Sequence, residues 1–350
     1  VGCLMMLLGA HPLPAYAVVG LGAAAYSPAK YGILTELLPP SQLVKANGWI
    51  EGLTIVSIIL GAVVGGMLMH PHLFDLLLQM DLQHHFIDRH ISSPPKLAIA
   101  VIMVFYLLAS VINTRIPRTD APLQPLPKNI FSLLPEVWQC NKLLWQDKLG
   151  QISLASTTLF WGVSGNLRYL VLAWAAAALR YTEPQAATLE GVVAIGTALG
   201  AVWASRIRLE RALDVIPLGI AMGLVTLLLI PIKTLWLAVP FFIMLGGLGG
   251  FLVVPMNAML QHRGHSLMGA GRSIAVQNFN EQAAILGLGV AYSFITKCGI
   301  GVYGAVAFFG LLVAGCMVLF QWWHKHNLAQ HPAEIERLLE QARNDDLHGH

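Results

Sequence analysis

Two basic side chains lie inside apolar segments of this sequence, where a charge is costly. Lys30 stands in "VVGLGAAAYSPAKYGIL" (18–34) and Arg168 in "FWGVSGNLRYLVLAW" (160–174). A charge within a membrane-spanning helix costs about 2.5–3.5 kcal/mol unless it is paired or faces water. An ammonium or a guanidinium can hold a phosphate by charge-assisted hydrogen bonds, and the guanidinium can do so with two parallel bonds. The two residues therefore predict the binding of an anion, a task that breaks no bond.

Each of these cations also has a structural interpretation, which the sequence leaves open. Lys30 can extend along its helix to lipid phosphates at the membrane surface, whereas Pro28 can kink the same helix toward a cavity. Arg168 can form an ion pair with Glu190 on the next helix, and such a pair could also act as a gate. We expect Arg168 to be the strongest single candidate for phosphate recognition.

Two acidic residues occupy comparable places, each about one helical turn after an asparagine. Glu51 follows Asn47, and Glu281 follows Asn278. At this spacing the amide and the carboxylate share a helix face. The carboxylates could bind the amine of an ethanolamine head group, carry protons, or tie helices together at a cytoplasmic gate. The tying role is slightly favoured.

The short basic segment "ASRIRLER" (204–211) connects two apolar runs and contains Arg206, Arg208 and Arg211. Such a segment can latch a gate through ion pairs. Basic residues would also collect there under the positive-inside bias alone.

Transmembrane helices must position these residues, because the composition is that of a membrane protein. Of the 350 residues 56% are hydrophobic and 11% are charged, where a soluble domain carries roughly 25% charged residues. Apolar runs long enough to cross a hydrocarbon core of about 30 Å recur along the chain. Together with the Gly and Pro punctuation they predict an all-α polytopic protein. The prediction comprises a partial helix at 1–10 and nine spans near 14–36, 43–69, 96–116, 150–179, 185–205, 212–231, 234–260, 271–296 and 299–323.

The distribution of Lys and Arg predicts the topology, since most of them fall in connections on one side, together with the C-terminus. We expect that side to be cytoplasmic. The predicted domains are the remnant of an N-terminal bundle at 1–116 with an extracytoplasmic insert at 70–95, a central cytoplasmic loop at 117–149, a C-terminal six-helix bundle at 150–323 and a cytoplasmic tail at 324–350. A weak internal repeat of residues 26–61 in residues 253–287 favours two related halves.

Several other classes of protein find little support. The scattered basic residues form no patch for nucleic acid, and four separated cysteines without a CxxC spacing predict neither a disulfide framework nor a zinc site. His70 and Asp75 have the spacing of glycerolipid acyltransferases, but no soluble catalytic domain accompanies them. Metal binding by the nearby histidines (His84, His85, His90) has no further support. We therefore expect no enzyme, no cofactor and no metal.

Five stretches carry a resemblance to a known family. They are "GLGAAAYSPAKYGIL" with "LVKANGWIE", then "TLFWGVSGNLRYLVLAW", and "GGFLVVPMNAMLQHRG" with "GAGRSIAVQNFNE". They resemble the bacterial lysophospholipid transporters of the major facilitator superfamily. The resemblance covers nearly the whole chain, and "YSPAKYGIL" with "LVKANG" is its most specific part.

The resemblance implies a fold of twelve helices in two bundles and movement of lysophospholipids from the outer to the inner leaflet of the bacterial inner membrane, by alternating access. It also implies a cytoplasmic acyltransferase/acyl-ACP synthetase as a partner that restores the second acyl chain. The first two helices of the family are missing from this sequence, so we expect an N-terminal truncation. The alternatives are an exporter of amphipathic drugs within the same superfamily and a non-transporting membrane scaffold for an acyltransferase.

Overall fold

The computed structural model describes residues 1–68, 93–117 and 133–344, and within these ranges the chain forms helices and no β-strand. In chain order the α-helices are α1 (Gly2–Leu7), α2 (Pro12–Leu37), α3 (Pro40–Leu68), α4 (Pro94–Asn113), α5 (Leu133–Gln146), α6 (Gly150–Leu179), α7 (Glu183–Ala204), α8 (Ile216–Leu227), α9 (Leu235–Met268), α10 (Ala270–Lys297), α11 (Val302–Gln330) and α12 (Pro332–Asn344). A 3-10 helix, η1 (Leu209–Val215), precedes α8.

Each predicted span has a helix at the corresponding place, namely α2 to α4 and α6 to α11. Five helices of the described chain are long and apolar enough to cross a membrane by length and composition. These segments are Pro40–Gly61, Pro94–Asn113, Gln185–Ala204, Leu235–Met268 and Val302–Gln330. The histidines and Asp75 of the predicted 70–95 insert lie in 69–92, outside the described residues.

The boundaries differ from the predicted ones where a helix continues beyond its apolar run. The helix α9 extends to Met268 and ends at Gly269, whose φ of 84° few other residues adopt readily. The predicted span 212–231 is divided into η1 and a short α8 with a proline in its first turn, a position that favours the start of a helix. Two helices, α5 and α12, were not predicted from the sequence. Both lie in polar segments, where the length of an apolar run cannot indicate a helix.

The chain divides into two compact units, and the division falls inside α2, inside α3 and between residues 122 and 123, within the predicted loop 117–149. The first unit comprises Val1–Lys30 and Ser57–Pro122, and the second Tyr31–Val56 and Leu123–His350. In the first unit α1 packs against α4, and Gly2 lies against Ala15 and Val19 of α2. The predicted four-part division of the chain stays a prediction.

The most extensive helix pair of the second unit, α7 with α9, is held together by glycines. A β carbon on Gly196 or Gly200 of α7 would fall on a backbone carbonyl of α9. Likewise, a β carbon on Gly246 or Gly250 of α9 would fall on a backbone carbonyl of α7. Glycines four residues apart thus let two backbones touch, which is how helices associate where both they and the surrounding lipid are apolar.

Candidate functional site

A buried polar cluster lies inside the second unit, where the connected ends of α2 and α3 meet α9 and α10. Its members are Tyr31, Asn47, Glu51, Asn257, Gln261, Gln277 and Glu281. In its centre, the side-chain amides of Asn47 and Gln261 exchange two hydrogen bonds: Nδ2 of Asn47 donates to Oε1 of Gln261 at 2.9 Å, and Nε2 of Gln261 donates to Oδ1 of Asn47 at 3.1 Å. Both side chains are buried. Asn47 therefore ties α3 to α9 in this conformation.

Both predicted carboxylates belong to the polar cluster. Glu51, 5% exposed, accepts a hydrogen bond from the hydroxyl of Tyr31 at 3.0 Å. Glu281, 8% exposed, accepts one from Nε2 of Gln277 at 2.7 Å, and that amide also donates to Oδ1 of Asn257 at 3.1 Å. The two carboxylates interact electrostatically with each other. Two buried carboxylates that repel each other favour a proton or the cationic part of a ligand between them.

Asn278, the predicted companion of Glu281, is half-buried and makes no side-chain hydrogen bond within the described chain. Gln277 takes its place. The distance from Gln277 to Glu281 is four residues, the same as from Asn47 to Glu51, and residues four apart on a helix lie one above the other. Each carboxylate thus follows an amide by four residues, but Gln277 bonds to its carboxylate, whereas Asn47 bonds to Gln261 instead.

The predicted partner of Arg168 is in place. Its Nε lies 3.5 Å from Oε1 of Glu190, and the side chains are 64% and 30% exposed respectively. The two terminal nitrogens of the guanidinium therefore remain accessible to a ligand while Nε is paired. Asn166 lies nearby on the same helix, and its amide donates to the carbonyls of Gly162 and of Ile285 on α10, so it fixes α6 against α10. Lys30 is half-buried on α2 in the first unit.

The basic segment 204–211 joins the C-terminal helix α12 through one acidic residue. Glu210 accepts hydrogen bonds from Nη2 of Arg208 at 3.0 Å and from Nε of Arg343 at 3.3 Å. Burial opposes the charged form of Glu210, but these hydrogen bonds outweigh it and hold its pKa below the usual value. Arg206 and Arg211 are exposed. Arg208 thus pairs with Glu210 within the segment, and the ion pair of Glu210 with Arg343 joins the segment to α12.

A further ion pair was missed from the sequence. Nη2 of Arg263 lies 2.7 Å from Oδ2 of Asp147, and both side chains are almost fully buried, at 4% and 6% exposure. Asp147 also accepts from the backbone N–H groups of Leu149 and Gly150 at the start of α6. The signal in the sequence was an Asp three residues before Gly150, a pattern that often caps a helix.

Among the described residues no group of three or more His, Cys, Asp or Glu side chains could hold a metal ion. Charged and amide groups are thus gathered inside long apolar helices, an arrangement that suits a polytopic membrane transporter. The chain belongs to the Major Facilitator Superfamily, whose family model matches residues 1–287. It is thus an all-α secondary transporter, and the predicted fold class is confirmed.

Curated relatives are similar over most of the chain. The lysophospholipid transporter LplT of Pectobacterium carotovorum subsp. carotovorum is 36% identical over 303 residues, which are 86% of this chain and 69% of that protein. Proteins of the same name from Yersinia pestis and Yersinia pseudotuberculosis are 38% identical over 300 residues, 85% of this chain and 68% of each relative.

Proposed function

We propose that this chain is a lysophospholipid transporter of the bacterial inner membrane. It moves lysophospholipids such as lysophosphatidylethanolamine from the outer to the inner leaflet by alternating access, as a flippase. A cytoplasmic acyltransferase/acyl-ACP synthetase then restores the second acyl chain, and the C-terminal tail lies in the cytoplasm. The observation that carries the proposal is the similarity of most of the chain to relatives named for this substrate.

The proposed site uses the side chains that the sequence singles out. Arg168 binds the substrate phosphate with its two accessible terminal nitrogens, and Glu190 fixes its orientation. Lys30 contacts the phosphate at the inward end of the path. Glu51 and Glu281 offer negative charge to an ethanolamine amine, and their buried hydrogen bonds also support the tying role. Asn47 and Asn278 complete the proposed substrate contacts, and the basic segment with Arg206, Arg208 and Arg211 serves the gate.

Uptake of labelled lysophosphatidylethanolamine into spheroplasts, resolved by leaflet, tests the function. Expression of the chain should accelerate the appearance of label in the inner leaflet. Arg168→Lys should reduce this rate at least about tenfold, because a lysine ammonium cannot form two parallel bonds to phosphate. The matched control is Arg180→Lys, at the exposed C-terminal end of the same helix, which should transport like the parent. Equal transport by Arg168→Lys would contradict bidentate recognition.

Two further experiments separate the alternatives. Collapsing the proton gradient distinguishes a proton-carrying role of Glu51 and Glu281 from head-group binding or tying. Resistance to amphipathic drugs on overexpression, without lysophospholipid uptake, would favour the exporter. A scaffold for an acyltransferase predicts no dependence of ligand binding on the head group, so a strong dependence counts against it.

A further inference from the structure

The second unit encloses an elongated cavity between α6, α7, α8, α9 and α11, which we call the bundle cavity. Its volume is about 70 Å³, several times the roughly 10–15 Å³ that one water requires. Its lining on α6 runs from Ser156 to Leu170, a length of about 21 Å at 1.5 Å per residue. The bundle cavity is therefore long and narrow, the shape of an extended hydrocarbon chain.

The lining of the bundle cavity is almost entirely apolar. Leu159, Val163 and Leu245 face it, together with two methionines, Met222 and Met317. Methionine side chains are flexible and adapt to partners of variable shape. The bundle cavity is suited to methylene groups and offers a charged head group nothing.

Two of the four hydroxyl groups in the lining are bonded within their own helices, whereas the hydroxyl of Ser156 is buried without a hydrogen-bond partner among the described residues. Thr197 donates to the carbonyl of Val193 at 3.0 Å, and Thr226 donates to that of Met222 at 2.8 Å. Gly249 sets the width at one point, since a β carbon there would lie 3.0 Å from the ring of Phe160. Larger side chains at these positions would fill the space.

The Arg168–Glu190 ion pair lies beside one end of the bundle cavity. Ser164 and Leu167, the neighbours of Arg168 along α6, line the cavity, and so does Val193, one turn after Glu190 on α7. The guanidinium is mostly exposed. A cationic group accessible from outside thus adjoins a narrow hydrocarbon-like interior, which is the complement of an anionic amphiphile with one chain.

We propose that the bundle cavity holds the acyl chain of a single-chain phospholipid whose phosphate is bound by Arg168. The proposal rests on the proposed function and deepens it, because it explains why a lysophospholipid would be preferred to a phospholipid with two chains. One chain fills the narrow cavity. A second chain would find no room there.

Competition binding with lysophosphatidylethanolamines of increasing chain length tests the proposal. Affinity for the parent should rise about fourfold for each methylene that enters the cavity, and then stop rising when the cavity is full. Thr197→Leu and Thr226→Leu should each move that limit to shorter chains and leave competition by glycerophosphoethanolamine, which has no chain, unchanged. The control Thr296→Leu, exposed on α10 and likewise bonded within its own helix, should behave as the parent.

A second measurement does not depend on the variants folding. A lysophosphatidylethanolamine with a diazirine at the end of its chain should, on irradiation of the parent protein, label peptides that contain Met222 or Met317. Labelling confined to other helices, or an unchanged length limit in both threonine variants, overturns the proposal while leaving lysophospholipid transport intact. A parent protein that binds no lysophospholipid of any length would instead overturn the proposed function itself.

Discussion

The buried ion pair between Asp147 and Arg263 should be among the most sensitive points of the second unit. Removing one partner of a buried pair costs about 3–5 kcal/mol, because the other charge remains in the protein interior. Asp147→Ala also removes the acceptor for the backbone N–H groups of Leu149 and Gly150, a cap whose loss costs about 0.5–2 kcal/mol. Asp147→Ala should therefore be more damaging than Arg263→Leu, which leaves Asp147 bonded to those two N–H groups.

Denaturant titration in detergent, followed by far-UV circular dichroism, measures these costs. The double variant Asp147→Asn with Arg263→Leu should cost clearly less than the sum of its single variants, since no unpaired charge is left. Arg208→Leu is the control, because the side chain of Arg208 is 68% exposed in its ion pair with Glu210, and exposed pairs contribute about 0–1 kcal/mol. A cost of Asp147→Ala no greater than that of the control, or full additivity in the double variant, would refute this reasoning.

Three more predictions follow from the same packing. The ion pair of Glu210 should protect α12 from amide hydrogen exchange above the unfolded-state pKa of glutamate, about 4.3. Because the folded-state pKa of Glu210 is lower, this protection should be lost as the pH falls through that lower pKa. In Glu210→Gln the protection should be weak at every pH. Replacing Asn47 and Gln261 together by leucine should leave stability nearly unchanged, whereas either single replacement should cost about 1–3 kcal/mol in thermal unfolding. Asn47→Leu leaves the buried Gln261 amide without its two bonds, and Gln261→Leu leaves Asn47 only its bond to the carbonyl of Leu43. In detergent-solubilised protein, where both membrane faces are accessible, a maleimide should modify the exposed Cys298 readily and Cys140 hardly at all. Burial covers the Cys140 thiol and raises its pKa, so fast labelling of Cys140, measured by mass spectrometry, would contradict the position of α5.

Helices were predictable from the sequence because membrane thickness fixes the length of an apolar run. Pairs close along the chain were also accessible, as Arg168 and Glu190 show, since they lie at facing places on consecutive helices. Asn47 and Gln261 are 214 residues apart, and no local pattern indicates which of many buried amides will meet. For that reason Asn47, Glu51 and Glu281 were predicted as site residues, whereas their partners Asn257, Gln261 and Gln277 were missed.

The glycine crossing of α7 and α9 and the polar cluster differ in the free energy that breaking their contacts would cost. The glycine crossing of α7 and α9 brings backbones together without polar side chains, and moving them apart would leave an empty space that only lipid or other side chains could fill. The polar cluster is different, because every amide and carboxylate in it can exchange its present partner for water at a small net cost. Contacts that water can replace suit a closure that opens and reforms, whereas the glycine crossing suits a rigid body that moves as one piece. Transport by this closure requires the ends of α2 and α3 to separate from α9 and α10. The variant with both Asn47→Leu and Gln261→Leu should then stay folded and yet transport more slowly than the parent, because opening would expose the two leucines to water.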